Sequence, residues 1–267
     1  MSCLVVDRHG PVAELTLNRP EKLNALNRDL ISQITDTIRA VSGETGVRAI
    51  ILTGAGRAFC AGVDLKELSG SSDVTGNDTW NEAENLLDVM RACPHPVIAA
   101  VNGFAVTGGL EIALMADFLI ASDAARFADT HARVGITPSW GMTQILPRLI
   151  GINRARQMSL TGEFVSAETA RDWGLVNEVV PADALMPRAR DLAAQIAETD
   201  RATMVRIRDL IDLSAELPLS EALQREVGVF EHHIQTLTPE RVEKGREAVT
   251  NRGRKLNRQD TSGQEKQ

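Results

Sequence analysis

The stretch PVIAAVNGFAVTGGLEIALMAD, Pro96 to Asp117, decides how the chain is read. It opens with an apolar run, Val97 to Val101, set between Pro96 and the pair Asn102-Gly103. That is the pattern of a buried strand ending in a turn. A linker of small residues follows. Gly108-Gly109 then introduces Leu110 to Met115, which are good helix formers, so the order reads strand, glycine loop, helix N-terminus. The first turn of a helix carries unpaired backbone N–H groups and the positive end of the dipole. Glycine lets another group approach that backbone. Such an arrangement suits a phosphate, a carboxylate or a developing oxyanion. Glu111 falls in the same turn; it is either a functional carboxylate or an acid placed where the dipole favours one.

Composition bounds what the chain can be. Its 267 residues suffice for one large domain, or one domain with an appendage. With 43% hydrophobic and 24% charged residues it can bury a sizeable core. A net charge of -7, no Tyr and 3% aromatics argue against nucleic acid as a partner. An anionic small ligand needs only a local basic patch. Cys3, Cys60 and Cys93 have neither metal-ligand nor disulfide spacing, so reduced thiols in a cytoplasmic protein are expected, with no metal. No run approaches the roughly 18 apolar residues of a membrane span. Charge follows the first residues too soon for a signal peptide.

Working outward, Leu4–Val6 and Val12–Leu17 read as a hairpin. Asn27 caps a helix whose apolar residues Leu30, Ile31, Ile34, Ile38 and Val41 share one face. Val47–Leu52 is a buried strand ending at Thr53-Gly54-Ala55-Gly56. Those glycines lack the third of a dinucleotide fingerprint, since Phe59 stands in its place. In RAFCAGVDLKEL, Arg57–Leu68, the pair Ala61-Gly62 allows close backbone approach, and Val63 offers a second exposed N–H. Spacing alone favours an ordinary loop there, stapled by Phe59 and Leu65.

Ser69–Asp78 has the composition of a mobile loop or lid, and Trp80–Arg91 that of a helix. His95, between two prolines, is expected on the surface. Phe118–Ala121 is another strand. Arg126–Met142 is rich in turn chemistry and contains Asp129, Thr130 and His131. A lone histidine is usually structural or exposed, but it titrates near neutrality. Asp129, two residues away, is a candidate to orient His131, though strand alternation puts both on one face only if this segment is extended. Gly141–Ile150, Asn153–Leu160 and a segment from Ser166 to Trp173 read as helices, and Leu175–Val180 as a last strand. Beyond Ala182 only helical patterns remain, at Asp183–Glu198, Arg201–Leu213, Ser220–Thr236 and Pro239–Thr250. Asn251–Gln267 reads as a disordered tail.

Three segments now stand together: LNRPEKLNAL (Leu17–Leu26), GAGRAFCAGVDLKEL (Gly54–Leu68), and the stretch from Pro96 on through Phe127 to Pro138. Jointly they resemble the enoyl-CoA hydratase/isomerase family, the crotonase superfamily. LTGEFVSAETARDWGLVNEVV (Leu160–Val180) is similar to a later segment of it, so the resemblance spans roughly residues 4 to 250.

The resemblance implies an α/β fold, a crotonase-like spiral of ββα units with a C-terminal helical trimerisation region. Residues 1–195 would form the core with its acyl-CoA site, 196–250 the helical region and 251–267 the tail. It implies an acyl-CoA thioester ligand, no cofactor beyond that CoA, and a homo-trimer or a hexamer. It places the oxyanion-hole N–H groups at Val63 and Gly108 and the first catalytic acid at Glu111. Ala61, Asp64 and Leu65 would border the CoA, with Lys22 and Lys66 near its phosphates. The second family glutamate falls on His131, a departure; imidazole is a competent acid or base at neutral pH. Pro138-Ser139-Trp140-Gly141 departs from the glycine-rich family version, and Trp140 would narrow the acyl pocket. The reaction expected is hydration of 2-enoyl-CoA. The alternatives are double-bond isomerisation or another enolate step, and a non-catalytic acyl-CoA binder.

Overall fold

The computed structural model describes residues 2–69 and 86–264. Strands β1 (Leu4–His9) and β2 (Val12–Leu17) form the antiparallel hairpin, with Leu4 opposite Leu17 and His9 opposite Val12. Helix α1 (Arg28–Ser42) follows. The Asn27 side chain accepts the Leu30 N–H at 3.1 Å, and the apolar face expected for this helix is buried.

A strand–strand–helix unit then recurs. β3 (Ala49–Gly54) and β4 (Ala58–Cys60) lead to α2 (Leu65–Ser69) and to α3, described over 86–92. β5 (Val97–Val101) and β6 (Phe104–Val106) lead to α4 (Gly108–Leu114). β7 (Phe118–Ser122) and β8 (Arg126–Ala128) lead to α5 (His131–Val134). In every unit the first strand joins a six-stranded sheet, β1-β2-β3-β5-β7-β10, and the second joins a four-stranded sheet, β4-β6-β8-β9. The chain therefore winds as the spiral of ββα units that the resemblance implies. α6 (Met142–Ile150), α7 (Ile152–Thr161), β9 (Val165–Ser166), α8 (Ala167–Trp173), β10 (Glu178–Val180) and α9 (Leu185–Ala197) complete this part.

From β2 to β10 the larger sheet is parallel. Parallel sheets are covered on both faces, which is why their strands read as unbroken apolar runs. In β3, Ile50 and Leu52 join the main core, while Ala49 and Ile51 face the cluster sealed by Leu185, Ala189 and Ala193 of α9. The corners between sheets are tight. A Cβ on Gly103 would stand 2.1 Å from the Arg57 carbonyl oxygen, and one on Gly109 would stand 2.1 Å from that of Cys60. Only glycine fits either place.

Contacts divide the chain into two units, Met1–Arg201 and Ala202–Gln267, a boundary slightly later than 195. Helix α9 belongs with the first because it closes the sheet. The second unit is helical, with α10 (Arg201–Leu213) entering it, then α11 (Leu219–Ile234) and α12 (Pro239–Gln264). Among the described residues no helix is long and apolar enough to cross a membrane.

Several expectations need correction. The small-residue linker after Gly103 holds a strand, β6, and the turn-rich segment 126–142 holds β8 and α5. Strands this short carry too few residues for periodicity to register. His95 is 1% exposed rather than on the surface. Its Nε2–H donates to the Val41 carbonyl at 3.0 Å, an oxygen in the last turn of α1 that also accepts the Glu44 N–H at 2.9 Å. Phe59 is buried, but Leu65 is 45% exposed, so the two do not staple a loop. Helix α12 continues through 251–264, where a tail was expected. The expected lid lies outside the described residues except for Ser69, as does the first half of the Trp80–Arg91 helix.

Candidate active site

Glu111 enters the site from the first turn of α4, whose start is fixed by the contact of Gly109 with Cys60. Its side chain is buried, at 3% exposure. Oε1 accepts the backbone N–H of Trp140 at 2.8 Å and of Met142 at 3.3 Å. Met142 begins α6, so the carboxylate uses donors that a helix start leaves unpaired. Oε2 points the other way, 3.5 Å from Nε2 of His131.

His131 is the first residue of α5 and is 7% exposed. Asp129, two residues earlier and 1% exposed, holds it doubly. Asp129 Oδ1 accepts the His131 backbone N–H at 3.2 Å and lies 2.6 Å from Nδ1 of the ring. The first contact is an Asx-turn, in which an aspartate caps its own chain two residues on. The segment is therefore not extended, yet the two side chains meet. Ser159 of α7 also hydrogen-bonds Asp129.

The electrostatics follow from that chain of contacts. Burial alone would lower the His131 pKa, but hydrogen bonds and charge from Asp129 and Glu111 outweigh it and raise it from 6.5 to about 9. Burial would likewise raise that of Asp129; its hydrogen bonds to His131 and Ser159 hold it below the usual range instead. The carboxyl groups on either side of the His131 ring thus favour its imidazolium form.

The two backbone amides singled out in the sequence lie side by side. Leu26 pairs with Val63 as an isolated parallel bridge: Leu26 N–H donates to Gly62 O, and Asp64 N–H to Leu26 O, both at 2.8 Å. In that geometry the Val63 N–H faces away from Leu26. A Cβ placed on Gly62 would lie 3.5 Å from the Gly108 nitrogen, and one on Gly108 would lie 3.6 Å from Cγ2 of Val63. Thr107, just before Gly108, has φ +54° and ψ −118°, a costly conformation for a β-branched residue. Its hydroxyl is 2.5 Å from that of Thr130.

A cavity open to solvent joins these groups. Ala61, Val63, Leu65, Thr107, Glu111, Thr130, His131 and Trp140 line it, and Val134, Ile136, Thr137 and Ser139 form the rest of the wall. Trp140 is 4% exposed, and its ring passes within 3.7 Å of where a Gly108 Cβ would be. Asp64 is committed elsewhere: its Oδ2 is 3.1 Å from the Arg19 guanidinium, which also donates to the Ala25 carbonyl and so ties down the Val63 loop. Lys22 and Lys66 are exposed and are not among the lining residues. Sequence reasoning missed Arg19, Thr107, Thr130 and Ser159; the tie between Asp129 and His131 was signalled by Asp-x-His at an Asx-turn spacing.

A pair of buried acid–base groups can move a proton, and neighbouring backbone amides of this kind can hold an oxyanion. Comparison with known proteins agrees with that chemistry. A sequence model of the family described as enoyl-CoA hydratase/isomerase matches residues 7–255. A probable peroxisomal enoyl-CoA hydratase of Arabidopsis thaliana is 37% identical over 246 residues, covering 92% of each chain. The crystal structure of an enoyl-CoA hydratase from Bacillus anthracis superposes with a TM-score of 0.86 at 34% identity, over 94% of this chain and 96% of that one. A monofunctional enoyl-CoA isomerase from M. smegmatis gives a TM-score of 0.74 at 32% identity, over 84% and 99%.

Proposed function

Because the chain belongs to the enoyl-CoA hydratase/isomerase family, we propose that its cavity adds water to 2-enoyl-CoA thioesters, with Glu111 as base and His131 as acid. The observation that carries this reading is the buried Glu111–His131 pair, 3.5 Å apart, in one cavity with Val63 and with Thr107, the residue before Gly108. The amides of Val63 and Gly108 hold the thioester oxygen. Glu111 Oε2 takes a proton from water as the water oxygen bonds to C3. The C2=C3 electron pair moves toward the thioester oxygen, where the two N–H groups stabilise the enolate. The enolate then takes the Nε2 proton of His131 at C2. The proton left on Glu111 passes to His131 across their contact, which restores the pair. One water has been added, and the substrate's own CoA is the sole cofactor.

Ala61 and Leu65 border the thioester, while Lys22 and Lys66 reach the CoA phosphates from the exposed rim. Trp140 narrows the acyl side and favours short chains. The protein assembles as a homo-trimer or a pair of trimers, a reading supported by the exposed apolar residues along α11.

Glu111→Gln keeps the shape and removes the base. Loss of the enoyl-thioester absorbance is expected to slow by about 10²–10⁴-fold, with circular dichroism unchanged; an equal rate would overturn the assignment. A second reading, migration of the double bond by the same pair, is favoured by the likeness to the isomerase from M. smegmatis. Chromatography of the product separates a 3-hydroxyacyl-CoA from a 3-enoyl-CoA.

A further inference from the structure

We propose that Asp129, backed by Ser159, is a positioning residue that locks His131 with its Nδ1–H on Asp129 and its Nε2–H aimed at Glu111, so that the acid is loaded before substrate arrives. This rests on the reading of Glu111 and His131 as the acid–base pair. Asp129 never touches substrate, because it is 1% exposed and is not among the residues lining the cavity.

Three observations carry it. Asp129 Oδ1 lies 2.6 Å from Nδ1 and accepts the backbone N–H of the same residue at 3.2 Å, so ring and backbone are held by one oxygen. With Nδ1 as donor, Nε2 is left to face Oε2 of Glu111 at 3.5 Å. Oε1 of Glu111 is occupied by two backbone amides, so the carboxylate cannot swing away without losing both. The line Asp129–His131–Glu111 is thus braced at each end, by Ser159 of α7 and by the start of α6. The charged groups acting on His131 are Asp129 and Glu111, both anionic. The cations of the neighbouring elements are turned elsewhere: Arg133 Nε donates to the Thr161 carbonyl at 2.6 Å, Arg154 lies over the Trp173 ring, and Arg156 is exposed.

A purely structural Asp129 would do no more than hold the turn before α5. Asp129→Asn separates the two roles, since the Asn carbonyl still accepts the backbone N–H but carries no charge. Histidine NMR titration without substrate, with the His131 signal identified by its loss in His131→Gln, reads the ring directly. The wild-type signal is expected to titrate at about 9, and in Asp129→Asn it is expected to fall by about 1–3 units. In turnover, kcat is expected to fall by about 10²-fold with KM nearly unchanged, and the alkaline limb of the kcat profile moves down with the NMR value. A His131 titration that Asp129→Asn leaves in place overturns the assignment, whatever the protein turns over. A wild type that converts no 2-enoyl-CoA sinks the hydration reading, and the NMR arm then decides on Asp129 by itself.

Discussion

Asp129, His131 and Glu111 couple the chemistry of the site to the stability of the fold. His131 has an ordinary pKa of 6.5 when unfolded and about 9 when folded. Its contribution to stability is therefore complete below pH 6.5 and is lost as pH rises through about 9. Asp129 works in the opposite sense: its contribution is present above 3.8 and is lost as pH falls through its lower folded value. His95, whose pKa burial lowers below 6.5, also favours the folded state less as the solution becomes acidic. Together they place the greatest stability near pH 6.5. Urea midpoints measured from pH 5 to 9 should peak there and decline toward 9, and most of that decline should be absent from Asp129→Asn. A wild-type midpoint flat from pH 6.5 to 9 would show that the imidazolium gains nothing from its two carboxylate neighbours.

Helix α4 is the element on which the site depends, because it carries Gly108 and Glu111 and is seven residues long. So short a helix is held by its packing rather than by its own propensity. Its seat is the contact between Gly109 and Cys60, where an added Cβ would overlap the carbonyl carbon and oxygen of β4. The obstacle is backbone and cannot rotate away. Gly109→Ala must therefore push α4 off β4, at a cost at or above the top of the usual range of about 1–3 kcal/mol for core overpacking. Thermal melting should show a large loss of Tm or an insoluble protein, and any folded remainder should lack turnover. A variant with the Tm and rate of wild type would mean that α4 is seated some other way. The start of α6 plays a complementary part, since its free amides hold Oε1 of Glu111 and leave Oε2 to the chemistry.

The molecule as a whole divides its apolar surface unevenly. In the first unit the parallel strands β3, β5 and β7 are covered on both faces, whereas α11 of the second exposes Leu219, Leu223, Val227, Phe230 and Ile234. Those residues recur at helical spacing and form one stripe. A stripe of that kind marks an interaction surface, and the proposed trimer is what would cover it. Sedimentation should give a trimer or hexamer for wild type. It should give mainly monomer for the double variant Val227→Asp, Phe230→Asp, because two charges per chain would have to be desolvated in the assembly. A variant that sediments like wild type would remove α11 from the interface.

Reading the chain without coordinates suffices for its long elements and for the framework of its site. The buried strands β3, β5 and β7 are apolar on both faces, α1 has a regular apolar face and an Asn27 cap, and Gly108-Gly109 marks where α4 begins. These signals are local, since each depends on residues within a turn or a strand of one another. Three-residue strands such as β6 and β8 have no such signal; they exist because the smaller sheet offers them partners. The same holds for the burial of His95, whose ring reaches a carbonyl of α1 54 positions away in the chain. Glu111, His131 and the neighbouring Asp129 were each visible as candidates, but not the 3.5 Å between Glu111 and His131 or the turn that sets Asp129 Oδ1 on the ring. A side chain's direction and its electrostatic neighbours are properties of the packed elements around it. For that reason the kinds of groups in this site were legible in the residues, while their pairing into a base, an acid and a brace was decided by the fold.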